Sequence, residues 1–374
     1  MNHVMKAAEW VLPGHPDKLC DAIADAVVEE AVRRDPFALV GVEVAVHRRS
    51  VHVTGRVAGV GAETIPVDAL VRAVYASAGF DARFGPAPED LVVGGDLALE
   101  APLDGEAEIR GVAVDQAVCI GWANDLPGAH HVPVEHALAR ALARGLHALR
   151  REAPELALGP DGKVLVVLAE TSVGGATVRR LDALHVSLQQ AASGDVVALH
   201  RAVRRRVEEV LKREAAHIPG LSPQPPDRLS VVGAGIFEVG GPHGDNGLTG
   251  KKTVVDAYGP RVPIGGGALS GKDFFKVDRA GALHARRLAK CAVALGFAPE
   301  VRVELGWFPG DREARLLGAY GPSDAPLDLR ALAARTDLSL ARSGEVFFTK
   351  GLVERTRWGV FFDAEAPWET LPRW

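Results

Sequence analysis

Of the 374 residues, ten are lysine and 33 arginine, and four of the ten lysines, Lys251, Lys252, Lys272 and Lys276, lie within one stretch of 26 residues. Uniform scattering would leave fewer than one there, so the cluster asks for a purpose beyond solubility. The flanking sequence suggests one. Gly240–Lys252 reads Gly-Gly-Pro-His-Gly-Asp-Asn-Gly-Leu-Thr-Gly-Lys-Lys, and Gly265–Asp273 reads Gly-Gly-Gly-Ala-Leu-Ser-Gly-Lys-Asp. Glycines let backbone N–H groups approach an anion closely and lysines add point charge, a combination suited to a polyphosphate. The competing reading is a pair of flexible surface loops with solvated lysines. A P-loop does not fit, because Asp273 stands where Ser or Thr must bind magnesium and residues 259–264 make a poor buried strand. The dinucleotide fingerprint fails as well, since Gly233-Ala-Gly235 lacks the third glycine. Near the N-terminus, Gly14-His-Pro-Asp-Lys18 puts an imidazole, a carboxylate and an ammonium group at the start of a helix, where anions are favoured. There His15 and Lys18 can face phosphate oxygens while Asp17 holds a hard cation, or Asp17 can simply complement the helix dipole.

The elements that must position these groups follow from periodicity. Residues 16–34 read as an amphipathic helix with Leu19, Ile23, Val27 and Ala31 on one face. Residues 39–46 and 51–57 alternate as strands of a hairpin through His47–Ser50. Helices are expected at 66–79, 133–151, 197–217 and 279–296, and strands at 163–169, 183–188, 229–233, 301–306 and 314–319. Pro219–Pro226 reads as a linker. Three blocks that each mix strands with helices indicate an α+β protein of three domains, 1–103, 108–228 and 229–374.

Composition narrows the function classes. The 43 Lys and Arg against 48 Asp and Glu give a net charge of −5, without the footprint expected of a nucleic-acid or anionic-membrane binder. Cys20, Cys119 and Cys291 are an odd number without C-x-x-C spacing, so neither a disulfide framework nor a thiolate metal site is implied. With no signal-peptide pattern and no apolar run of about 18 residues, a cytoplasmic location is expected.

The motifs carry a resemblance. Gly14–Lys18, the Gly-Gly-Pro-x-Gly-Asp-x-Gly-Leu-Thr-Gly run at 240–250, and the Gly-Gly-Gly-Ala-x-Ser-Gly-Lys-Asp-x-x-Lys-Val-Asp-Arg run at 265–279 resemble the signatures of S-adenosylmethionine synthetase (methionine adenosyltransferase). Asp115-Gln116, Asp161-x-Lys163 and Pro367-Trp-Glu369 extend it along the chain. The resemblance implies three similar domains in a pseudo-threefold arrangement, and a homodimer with active sites between subunits, with pairing into tetramers left open. The substrates implied are ATP and L-methionine, and the cofactors are magnesium, two ions, with potassium undecided. By matching position it implies catalytic roles for His15, Lys163, Lys252 and Lys272. Nucleotide contacts are implied for His15, Asp161, Lys163, Phe237, Asp245, Lys251, Lys252, Ala268 and Lys272, and methionine contacts for Glu100, Asp115, Asp245 and Lys276. Asp17 and Asp278 are the implied magnesium ligands and Glu43 the potassium ligand.

The chain also departs from that pattern. Trp10 stands where the family has serine, which would alter the wall of the site; Lys251 replaces an arginine and Ile236 another; Glu100 replaces glutamine; and the loop from Glu100 to Asp115 is short. Arg56 takes the place of a glutamate. If Val46 pairs with Val51, Glu43 lies opposite Thr54 and diagonal to Arg56, whose guanidinium could then take over the charge of the monovalent cation. Two other functions remain open: an adenosyltransferase for another thioether or methionine analogue, and a non-catalytic nucleotide-binding paralogue.

Overall fold

The structure, a computed structural model, describes residues 3–348 and 350–371. Its strands are β1 (His3–Val11), β2 (Leu39–His47), β3 (Ser50–Ala58), β4 (Val92–Gly94), β5 (Leu97–Glu100), β6 (Ala117–Asn124), β7 (Leu158–Val173), β8 (Ala176–Gln190), β9 (Arg228–Val231), β10 (Gly247–Leu248), β11 (Glu300–Trp307) and β12 (Arg315–Tyr320). Its helices are α1 (Pro16–Arg34), α2 (Val67–Ala78), α3 (Val134–Glu152), α4 (Val196–Ala215), α5 (Thr253–Asp256), α6 (Val277–Ala294), α7 (Arg330–Ala333), α8 (Leu340–Val346) and α9 (Leu352–Trp358). The fold is α+β, with three sheets ordered β1-β7-β8-β9, β10-β2-β3-β4 with β5 also on β3, and β12-β11-β6. Helix α3 covers β1 and β7, α1 covers β2, and α6 covers β6 and β11.

Alternation explains how the sheets meet their helices. In β2, Val40, Val42, Val44 and Val46 are buried, while Gly41, Glu43 and Ala45 stand on the opposite face. Helix α1 is buried almost all round from Pro16 to Val28, because α2 and α9 pack on it as well as β2.

Each sheet recruits a strand from far along the chain. β1 lies antiparallel on β7 with Val11 opposite Lys163, β6 lies on β11, and β10 pairs with β2. Neither β1 nor β6 shows a clean period in the sequence; both are held by ladder hydrogen bonds to remote partners, which local propensity does not reveal. Residues 219–222 run beside β8 instead of hanging free, with the Arg179 amide donating to Gly220 O at 2.7 Å and the Ser222 amide to Arg179 O at 2.8 Å. No helix among the described residues is long and apolar enough to cross a membrane.

Candidate active site

The pairing of β1 with β7 delivers the N-terminal motif to its place. Beyond β1, the Leu12 amide donates to Gly162 O at 2.8 Å and the Gly14 amide to Pro160 O at 3.1 Å, so the turn into α1 lies beside Asp161. His15 is the N-cap of α1 and Pro16 opens the helix, where a missing N–H costs nothing. His15 Nδ1 accepts the Asp17 amide at 3.3 Å, leaving the ring proton on Nε2. Burial, with the Lys252 ammonium next in weight, lowers this imidazole to about 4, so it is neutral at pH 7.

Down one face of α1, Asp17, Asp21 and Asp25 recur at i, i+4 and i+8, and each accepts a backbone amide from a glycine-rich segment. Asp17 takes Leu248 N at 3.1 Å, Asp21 takes Gly250 N at 2.9 Å and Asp25 takes Gly271 N at 3.1 Å. This ladder brings both segments against a single helix. They also touch each other: Gly250 has φ 81°, and a Cβ there would lie 2.9 Å from the Ala268 methyl group, so glycine is required on two counts. The motif pattern does not single out Asp21 or Asp25, although their spacing after Asp17 is visible in the sequence. Lys18 does not line the cavity beside His15, contrary to the expectation that it faces phosphate oxygens. Its helical position turns it inward, where its ammonium donates to Asp21 at 3.2 Å and to Asp256, all three side chains being buried.

On the other side of His15 lies a cavity of about 350 Å³ whose lining includes Asp161, Lys163, Phe237 and Asp245. Asp161 is raised to about 6 by burial, and its carboxylate accepts the amides of Gly241 at 2.8 Å and Gly162 at 2.6 Å. It thereby ties the start of β7 to the first glycine segment. The end of β8 holds the next part of the wall: Gln189 Nε2 donates to Glu238 O at 3.2 Å and the Gln190 amide to Phe237 O at 2.9 Å. His185 and Ser187 also line the cavity, with His185 hydrogen-bonding distance from Ser187 Oγ (3.0 Å) and Ser230 Oγ (3.1 Å). Nothing in the local sequence marked Gln189 or His185, because their relevance comes from β8 lying beside β7.

Lys252 Nζ stands 3.1 Å from Asp17 Oδ2, and Lys251 Nζ 3.7 Å from Asp17 Oδ1, at the margin of the helix N-terminus. The second glycine segment runs along β2, with Gly41 bridging Lys272 and the Val42 amide donating to Gly271 O at 2.9 Å. A strand-like path without a following helix turn is incompatible with a P-loop. Lys272 Nζ donates to Asp278 at 2.6 Å, and a Cβ at Gly267 would collide with that carboxylate. Lys276 caps α6 and extends toward Gly41. Glu43 is exposed on β2, its carboxyl raised by partial burial despite Lys272.

The hairpin register is as read, with Val46 opposite Val51 and Glu43 opposite Thr54. The Arg56 guanidinium turns elsewhere, to Glu100 at 2.5 Å and to both oxygens of Glu106 at 2.5 and 3.0 Å. Asp115 is exposed and accepts the Gln116 amide at 2.7 Å. None of Arg56, Glu100, Asp115, Lys272 or Lys276 lines the cavity around His15. Trp10 does not line it either, a correction to the altered-wall expectation. Strand alternation sends its indole into the core, 5.0 Å from His136 and 5.7 Å from Phe362 between ring centroids.

The model of the S-adenosylmethionine synthetase N-terminal domain matches residues 3–91, and that of the C-terminal domain matches residues 239–315. S-adenosylmethionine synthase of Corynebacterium jeikeium (strain K411) is 35% identical, the match covering 98% of this chain and 95% of that protein. The S-adenosylmethionine synthase of Mycobacterium avium (strain 104) is 34% identical, covering 97% of this chain and 95% of that protein. The chain belongs to the S-adenosylmethionine synthetase family. Both matched segments contain glycine-rich or helix-start residues that meet at α1, Gly14–Lys18 in the first and Gly240–Asp273 in the second.

Proposed function

We propose that the cavity beside the α1 N-terminus receives ATP and that adenosyl transfer to the methionine sulfur proceeds at its margin. Family membership makes the protein a methionine adenosyltransferase. The observation that supports this placement is the convergence of His15, Asp161, Lys163, Phe237 and Asp245, from three distant parts of the chain, on one cavity.

The chemistry suits such a site. A thioether sulfur is nucleophilic without losing a proton, so attack on C5′ of ATP needs no general base. The demand falls on orientation and on the leaving triphosphate, which carries about four negative charges. Lys163, Lys251, Lys252 and Lys272 are the groups we assign to that charge. His15, neutral with its proton on Nε2, donates a hydrogen bond to the oxygen at which charge develops. Phe237 stacks on the adenine, Asp161 and Ala268 border the nucleotide, and Asp245, Asp115, Glu100 and Lys276 serve the methionine side.

Asp17 and Asp278 suit magnesium by donor type, since each offers hard carboxylate oxygens. Among the described residues no cluster of three or more His, Cys, Asp or Glu side chains is arranged to hold a metal. A magnesium ion here would take Asp17 or Asp278 as its protein ligand. When bound, magnesium supplies charge neutralisation to the triphosphate. Each of these carboxylates now holds a lysine, Lys252 on Asp17 and Lys272 on Asp278, and the same ammonium groups are the ones assigned to the phosphates. Glu43 has no ion-pair partner among the described residues, so we keep it as the monovalent-cation ligand and leave Arg56 to its two glutamates. Because Lys272, Lys276, Glu100 and Asp115 stand away from the cavity of their own chain, we assign the complete site to the junction of two copies.

Incubation with ATP, magnesium and methionine should yield a sulfonium product, detected by mass spectrometry, together with phosphate. Absence of the sulfonium with methionine, and its appearance with another thioether, would overturn the substrate assignment.

A further inference from the structure

Two residues before His15, Pro13 borders a separate cavity of about 430 Å³ between α3 and α9. Its lining is dominated by one sign of charge: Arg144, Arg150 and Arg151 from α3 and Arg357 from α9, with Glu354 the single carboxylate. Among the described residues, none of these four guanidinium groups lies within 4.0 Å of a carboxylate.

Two of the four are rooted. Arg357 is only 6% exposed, and its Nη2 donates to Val74 O at 3.0 Å and Ser77 Oγ at 2.7 Å. Arg150 donates to Leu158 O at 3.2 Å, to Ala78 O at 3.3 Å and to Gly79 O at the end of α2. These neutral partners orient the guanidinium planes without cancelling their charge. Arg357 Nε is itself buried and makes no hydrogen bond among the described residues, so the side chain is fixed through Nη2 alone. The other two, Arg144 and Arg151, are exposed and make no hydrogen bond or ion pair among the described residues; Arg144 lies over the Trp358 ring, 5.2 Å from its centroid. Between them stands His147, whose imidazole burial and the surrounding arginines hold at about 4, so it adds no charge at neutral pH.

Four guanidinium groups against one carboxylate leave an excess of about three positive charges, and holding like charges together in a partly buried space is costly without a counter-ion. Guanidinium forks match phosphate oxygens in pairs, which ammonium groups do not. A cavity of this size admits a small ligand, and its lining combines two guanidinium groups held by backbone oxygens with two exposed ones that are unpaired among the described residues. We propose that this cavity is an anion site for a phosphate oligoanion of the pyrophosphate class. Arg357 and Arg150 receive it, and Arg144 and Arg151 close over it.

The test is isothermal titration with inorganic pyrophosphate, without added metal, on the full chain. Lys163→Ala with Lys252→Ala first weakens the proposed triphosphate site, so that the arginine substitutions are read against a lowered background. About one equivalent should still bind in that background, and adding Arg144→Ala with Arg151→Ala should weaken it at least tenfold; orthophosphate, with less charge, should bind more weakly than pyrophosphate. The proposal is overturned if the arginine substitutions leave the affinity unchanged, or if the lysine variant binds no pyrophosphate while its far-ultraviolet circular dichroism is intact. Adenosyl transfer by the Arg144→Ala, Arg151→Ala variant is measured separately, so a failure here is distinct from a failure of the active-site reading.

Discussion

Asp17 and Asp25 stand two turns apart on the same face of α1, and each anchors an amide of a glycine-rich segment, yet their cationic partners differ in kind. Asp25 receives Arg279 through two hydrogen bonds, 3.0 Å to one oxygen and 2.9 Å to the other, with Thr356 on the same carboxylate; all three side chains are buried. Asp17 receives two lysines whose side chains are 45% and 21% exposed. A bidentate guanidinium in the interior, its Nη1 also donating to Lys272 O at 2.7 Å, is held in one arrangement. An ammonium on a flexible stem can leave a carboxylate for a phosphate, while Asp17 Oδ1 still holds the Leu248 amide. One device, a carboxylate accepting a loop amide, is thus a fixed joint at the inner end and, on the function proposed above, a loading point at the outer end.

The comparison breaks most readily at the inner joint. Asp25→Ala leaves Arg279 buried and unpaired, and should cost about 3–5 kcal/mol in urea unfolding; a loss below ~1 kcal/mol would mean that Asp25 is no more structural than Asp17. At the outer end Lys252→Ala should lower turnover by about 10²- to 10³-fold, equivalent to roughly 3–4 kcal/mol of barrier, while barely moving the urea midpoint. If stability falls in step with turnover, the lysine belongs to the joint and not to the ligand.

The pH dependence sharpens the same contrast. Folded His15 titrates near 4 and an unfolded histidine near 6.5, so between those values the unfolded chain binds more protons and the folded state loses stability as pH falls. Relative to His15→Asn, the unsubstituted protein should lose about 2 kcal/mol by pH 5, measured by urea unfolding at a series of pH values. The gap should shrink in the Lys252→Ala background, because that ammonium is the second cause of the depression. The smallest effect is expected at Lys251: its removal should change stability by less than ~0.5 kcal/mol, as for other exposed ion pairs, and a larger change would place it in the joint.

Much of this was legible in the chain. The α1 helix, the β2–β3 hairpin and its register, and the other long helices follow from apolar period, and the glycine-lysine segments point toward a polyphosphate ligand by residue type alone. The hairpin even set which residue faces Glu43. It did not set where Arg56 points, because a guanidinium on a strand face reaches several carboxylates and the choice depended on β5 and the loop carrying Glu106. Trp10 differs from expectation for a related reason: a large residue in place of a small polar one next to a motif suggests a site wall, whereas the pleat of β1 turns that position to the core.

Local rules of period, capping and residue chemistry act over a few neighbours, and for this protein they were sufficient to determine the principal elements and the kind of ligand. Which segments meet was decided by contacts spanning more than a hundred residues: β1 on β7, Asp21 and Asp25 on glycine amides, four arginines around one cavity. Such contacts are selected by the burial and hydrogen bonding of the whole fold, so no window of sequence contains them.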